Sequence, residues 1–138
     1  MPETMQKLVN DLVGAWNSHN VDRAAEFYSP DYVGNDMGQS NMHRGRDGLR
    51  EFLSTYLSAF PDLKFSADET IIADNHVALA WTAQGTHRGA ILKIPPTGRT
   101  ISIRGVSLLT IENETVKRAS YFWDVAGLLR AVGLLPEL

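Results

Sequence analysis

The chain has 138 residues, 43% of them hydrophobic, and a formal net charge of −3, which suits one domain with a sizeable core and excludes the basic face of a nucleic-acid binder. It contains no cysteine, so disulfides, thiolate catalysis and thiolate metal sites are excluded. The start Met1-Pro2-Glu3-Thr4 lacks a basic segment and no apolar run approaches bilayer length, so a cytoplasmic protein without membrane partners is expected.

Met5, Leu8, Val9, Leu12, Val13 and Trp16 recur at helical spacing and predict a first amphipathic helix ending near Ser18-His19-Asn20. A second, short helix is expected after Asn20, turning Ala24, Phe27 and Tyr28 inward before Ser29-Pro30 stops it. Asp31-Tyr32-Val33 reads as a short strand opening into a polar segment, Gly34 to Arg44. A third helix, from about Arg46 to Ala59, carries Leu49, Phe52, Leu53, Tyr56 and Leu57 on one face and ends at Pro61-Asp62. The small basic cluster Arg44, Arg46 and Arg50 reads as solvated surface.

The period then changes to alternation. Leu63 to Asn75 and His76 to His87 predict a hairpin turning at Asp74-Asn75, with Val77, Leu79, Trp81 and Ala83 on one face and His87 on the same side. After a loop holding Pro95-Pro96-Thr97-Gly98, one face carries Ile101, Ile103, Gly105, Ser107, Leu109 and Ile111, which sets the Ser107 hydroxyl in an apolar row. A turn at Glu112-Asn113-Glu114 leads into a last strand, Val116 to Trp123, and a terminal helix. Helices followed by long antiparallel strands make an α+β domain, and a strongly curved sheet closed by three helices forms a cone with an apolar cavity.

Asp124 stands where the aromatic strand Tyr121-Phe122-Trp123 meets the apolar helix that begins Val125-Ala126-Gly127. A carboxylate walled by rings is poorly hydrated, and its pKa rises from about 3.9 toward values useful for proton transfer, which makes Asp124 a general-base candidate. The same position suits an N-cap accepting the first turn's free amides, and capping stabilises the anion instead. On residue chemistry alone the cap is the better reading. His19, His43, His76 and His87 are scattered without i, i+4 spacing, so no metal site is expected, and no glycine-rich loop suggests a nucleotide cofactor. Trp16, Trp81 and Trp123, with Tyr28 and Ser107, are the candidate pocket lining, one or two of the indoles being expected to face a ligand.

Five segments in order resemble one family: Pro30-Asp31-Tyr32-Val33, Phe60-Pro61-Asp62-Leu63, Gly85-Thr86-His87-Arg88-Gly89, Pro96-Thr97-Gly98-Arg99 and Trp123-Asp124-Val125-Ala126-Gly127-Leu128-Leu129-Arg130. They are similar to the SnoaL-like polyketide cyclases of the nuclear-transport-factor-2-like superfamily. The resemblance implies a cone-shaped α+β barrel, a homodimer, a shielded pocket for a hydrophobic small molecule, no cofactor, and ring closure by intramolecular aldol condensation. It also implies Asp124 as the catalytic aspartate, supported by Asn35 and His87, and it shifts the reading of Asp124 from cap to base. By residue type alone, Asn35 beside Gly34 and Asp36 is a turn former, and His87 is either a pocket residue or an exposed turn residue. Arg118-Ala119-Ser120-Tyr121-Phe122 stands where members often carry His or Glu, which leaves the substrate open. In the expected chemistry Asp124 removes a proton flanked by carbonyls, and His87, Asn35 and Ser107 supply donors for the enolate oxygen. The rival readings on the same cone are an epoxide hydrolase using an Asp-Arg-Asp arrangement, a ketone isomerase and a non-catalytic binding protein.

Overall fold

Alternation along the second half of the chain builds the frame on which the helices rest. The computed structural model describes residues 2–137. In chain order the elements are α1 (Pro2–Asn17), α2 (Val21–Ala25), β1 (Tyr28–Asp36), β2 (Asn41–Arg44), α3 (Gly45–Ala59), β3 (Lys64–Ala73), β4 (His76–Thr86), β5 (Thr100–Glu112), β6 (Thr115–Trp123) and α4 (Val125–Ala131). The six strands form one curved sheet in the order β2-β1-β6-β5-β4-β3, and the domain is of the α+β cone type. β1 runs parallel to β6 and every other pairing is antiparallel, so the sheet is mixed.

The inner row of β4, Val77, Leu79, Trp81 and Ala83, is buried, as is the row Ile101, Ile103, Ser107, Leu109 and Ile111 of β5. The two rows face each other in register, with Trp81 opposite Gly105 and Leu79 opposite Ser107. Two-residue turns close the β3–β4 and β5–β6 hairpins, and Asp74, Asn113 and Glu114 take left-handed φ values of 54°, 50° and 61° there. Against the concave face, α1 packs on β3 while α3 packs on β1 and β2, and α4 lies against β5. Leu12 and Trp16 of α1 and Leu49 and Leu53 of α3 enter the common core. No helix among the described residues is long and apolar enough to cross a membrane.

The structure revises the expected outline near the start of the sheet. Tyr28 opens β1 rather than closing the second helix. α2 is a single turn capped by the Asn20 side chain on the Arg23 amide, and the chain then joins β6 through the pair Tyr28 and Val116. Pro30 lies inside β1 because the β6 pairing skips from Tyr28 to Val33, leaving the residue that lacks an N–H outside the regular ladder. The polar segment Gly34 to Arg44 is ordered as strand: it completes β1, turns over residues 37–40 and returns as β2, pairing Gly34 with His43 and Asp36 with Asn41.

Candidate active site

Helix and sheet do not meet completely at the wide end of the cone. They leave an apolar cavity of about 80 Å³ between α1, α3, α4 and the inner faces of β3 to β6. Rings make much of its wall. Phe65 packs edge-on against Trp16 (5.0 Å between centroids) and Trp81 (5.7 Å), while Phe52 meets Tyr121 at 4.8 Å and Tyr56 meets Trp123 at 6.0 Å. Leu49, Leu53, Ile101, Ile103 and Leu128 supply the aliphatic remainder. Cavities of this character stay dry and take apolar or aromatic guests.

Asp36 lies directly behind that wall, at the end of β1, with 1% of its surface exposed. Its Oδ1 accepts from Trp123 Nε1 at 2.8 Å and from the Gly38 amide at 2.9 Å, and its Oδ2 accepts a short hydrogen bond from the Tyr56 hydroxyl. Tyr56 also accepts from Gln39 Nε2 at 2.8 Å. Both ring donors line the cavity. Burial, reinforced by donation to Asp36, pushes the Tyr56 hydroxyl pKa well above the usual tyrosine range, so the phenol stays protonated. Asp36 is the one buried carboxylate among the described residues. A buried charge is tolerated only where donors replace water, and here they come from β6, α3 and the β1–β2 turn.

A second polar chain runs beneath the rings. Tyr32 OH lies 2.7 Å from His43 Nε2 and 2.8 Å from Tyr121 OH, and Trp16 Nε1 donates to Tyr28 OH at 3.0 Å. The contact between Tyr32 and His43 passes over Gly34, where any Cβ would overlap both groups. His43 stacks on Phe52 at 4.2 Å, and its Nδ1 has no partner among the described residues. Burial lowers the His43 pKa from 6.5 to about 4, against a smaller opposing pull from the Asp36 charge, so the ring is neutral at pH 7.

The residues singled out from sequence fall into three groups. Trp16, Trp81 and Trp123 all line the cavity, more than the one or two expected. Tyr28 and Ser107 are fully buried one layer back, where each accepts a hydrogen bond from one of those indoles: Trp16 to Tyr28, and Trp81 to Ser107 at 2.9 Å. The expected catalytic set does not converge. Asp124 is exposed, and its Oδ1 accepts from the Gly127 amide at 2.8 Å as the N-cap of α4. It borders an outer cleft beyond Trp81 and Trp123 rather than the cavity, so the ring-walled setting expected for it is not found. Asn35 points to the opposite face of β1 from Gly34 and Asp36, opposite Met42 and Ser120, because side chains alternate along a strand.

His87 is fully buried and does not line the cavity. Its Nδ1 is held by Thr97 Oγ1 at 2.9 Å and by the Thr97 amide at 3.3 Å. An amide can only donate, so the neutral ring carries its proton on Nε2, which has no partner among the described residues and lies beside the cavity-lining Phe60. Arg104 and Arg118 are exposed on the outer side of the sheet and do not line the cavity, and Arg104 borders the outer cleft together with Asp68 and Asp124.

Asp36, His43 and the roles of Tyr32, Tyr56 and Tyr121 were missed. A signal existed for Asp36: alternation carried on from Tyr32 places Gly34 and Asp36 on the inner face. Reading Gly34 to Arg44 only as a polar segment hid it, and with it His43.

A family model described as SnoaL-like polyketide cyclase matches residues 6–132. Among solved structures the chain is similar to AclR, a candidate hydroxylase of Streptomyces galilaeus, with 28% identity, a TM-score of 0.86 and coverage of 100% of this chain and 85% of that one. TsrD of Streptomyces laurentii matches at 24% identity and TM-score 0.87 over 98% of each chain. IdmH, a candidate polyketide cyclase of Streptomyces antibioticus, matches at 21% identity and TM-score 0.81 over 93% of this chain and 97% of that one. No protein of curated function matches.

Two solution tests follow from this geometry. Replacing Asp124 by Ala is expected to cost about 1 kcal/mol of stability in urea unfolding, and replacement by Asn a few tenths, because Asn caps about as well as Asp. Equal losses in the two variants would refute the capping role. The His43 pKa is depressed on folding, so the unfolded chain takes up this proton first. The stability contributed by the neutral ring is therefore fully present above about pH 6.5 and is lost as pH falls through about 4. In an NMR titration the His43 ring should still be neutral at pH 5.5; a midpoint near 6.5 would contradict the burial argument.

Proposed function

The chain belongs to the SnoaL-like polyketide cyclase family, and on that premise we propose that it closes a ring in an apolar, polyketide-type small molecule by cofactor-independent acid–base chemistry. One observation carries this reading: the single buried carboxylate among the described residues, Asp36, is hydrogen-bonded to two of the rings that line the apolar cavity. A ligand seated against Tyr56 and Trp123 is held dry and one hydroxyl away from a base.

The steps are those of an intramolecular aldol closure. The Tyr56 oxygen takes the proton from a carbon flanked by carbonyls as its own proton passes to Asp36 Oδ2, leaving a neutral phenol, a protonated carboxyl and an enolate. The raised Tyr56 pKa requires the two transfers to be concerted, since a free tyrosinate is disfavoured. The enolate carbon attacks the second carbonyl, and the resulting alkoxide recovers the proton from Asp36 along the same path. Hydrogen-bond donors must meet the developing oxygen charge. The hydroxyl of the cavity-lining Tyr121, which shares a hydrogen bond with Tyr32 OH, takes this role in the present reading, whereas His87 stands outside the lining.

Asp124, the aspartate indicated by the family pattern, is the alternative base, and it acts only on a ligand that reaches the outer cleft. Turnover of a polyketide ester separates the two. Asp36→Asn is expected to lower kcat about 10²–10⁴-fold, the span of general-base catalysis, while Asp124→Asn lowers it less than about tenfold. The reverse pattern would make Asp124 the base and Asp36 structural, and a wild-type protein that binds such esters without turnover would be a binding member of the fold.

The outer face of the sheet is where the homodimer of this reading would form. Leu108 (49% exposed) stands in register with Ala78 and thence Ile71 (59%), and Val106 (36%) with Phe122 (42%), making one apolar patch across β3 to β6. Light scattering should report a dimer that Leu108→Glu converts to monomer, and a monomeric wild-type protein would remove the dimer.

A further inference from the structure

Trp81 and Trp123 line the inner cavity and also the outer cleft that holds Asp68, Glu69, Arg104 and Asp124. They are the partition between an apolar chamber and a charged surface. The two indoles are held in the same way. Each lies close against a glycine, and each donates its N–H to a side chain two residues from that glycine. Trp81 lies over Gly105 and donates to Ser107 at 2.9 Å, while Trp123 lies over Gly38 and donates to Asp36 at 2.8 Å. Neither glycine has a positive φ, so backbone freedom is not the reason for it. A Cβ built at Gly38 would overlap the Trp123 indole, with Cζ2 at 2.7 Å and nearer atoms closer still. At Gly105 it would overlap Trp81 and also press the Phe122 carbonyl at 2.7 Å. Backed by a methyl group instead of a hydrogen, either ring must shift off the glycine, which moves a wall that the cavity shares with the cleft and strains the N–H anchor.

We propose that Gly38 and Gly105 are specificity-determining residues: by letting Trp123 and Trp81 retract against the backbone they set the depth of the cavity, and so the largest ring system that enters it. The inference rests on the reading of the cavity as the ligand site. A size limit set by packed rings is sharp because cores at crystal-like density do not yield by small amounts. Gly38 is the cleaner position to test, since its three nearest neighbours all belong to the Trp123 side chain.

The test measures benzene and naphthalene binding to the full chain by calorimetry and reads their affinity ratio. Gly38→Ala is expected to lower the naphthalene-to-benzene ratio about tenfold, the scale on which apolar pockets discriminate one methylene group. Adding Trp123→Phe to Gly38→Ala should return the ratio to within about threefold of wild type, because the smaller ring clears the methyl. A folded Gly38→Ala protein with an unchanged ratio overturns the proposal. Should Gly38→Ala fail to fold, Trp123→Phe alone decides: it deepens the cavity and raises the ratio about tenfold, and an unchanged ratio again overturns the proposal. A wild-type protein that binds neither arene removes the ligand-cavity reading, and this inference with it.

Discussion

The Asp36 carboxylate is the constraint around which the wide end of the cone is organised. A buried anion must have its lone pairs met by donors, and the donors reaching Asp36 come from α3 through Tyr56, from β6 through Trp123 and from the β1–β2 turn through Gly38. Those elements are far apart in sequence, so one side chain ties the helix layer, the centre of the sheet and its edge hairpin together. Losing the carboxylate would leave a half-buried indole N–H and a half-buried backbone amide without this acceptor, at a cost of up to about 1–3 kcal/mol for each group. The same arrangement places an acid next to an apolar chamber without exposing it to solvent. The position that stabilises the fold is therefore also the one that offers chemistry.

Aromatic rings take their places from polar partners one layer back. Trp16 is oriented by Tyr28, Trp81 by Ser107 and Trp123 by Asp36, so each cavity-lining indole presents carbon to the interior and its N–H to the layer behind. Close approach demands glycine opposite the rings at Gly38 and Gly105, and Gly34 clears space for the contact between Tyr32 and His43. The outcome is a chamber whose wall is hydrophobic although buried hydroxyls, an imidazole and a carboxylate surround it. Ligand charge has no counterpart inside, whereas the cleft beyond Trp81 and Trp123 carries Asp68, Glu69, Arg104 and Asp124.

Much of this architecture was legible in the chain. Hydrophobic periodicity located α1 and α3, alternation located β3 to β6 and the inner rows of β4 and β5, and short motifs spread over the length pointed to the family. Two stretches resisted. Ser29-Pro30 argues for a break, yet the strand passes through it because its ladder is irregular there. Gly34 to Arg44 reads only as a polar segment, yet tertiary donors make a buried strand end of Asp36 and a stacked core residue of His43. Asp124 shows the converse. A carboxylate following Tyr121-Phe122-Trp123 looks ring-walled on paper, but Tyr121 faces inward, Phe122 outward, and the helix start turns Asp124 back onto its own amides.

The sequence by itself determined the class of the domain, its element order, the inward faces of its long strands and its family, because periodicity and short motifs are local properties that survive without a partner. Only the tertiary structure decided which carboxylate is buried, which histidine is stacked and which face of β1 meets the cavity. Each of these depends on donors and rings supplied from distant elements, and burial of a polar group follows from what surrounds it in space rather than from its neighbours along the chain.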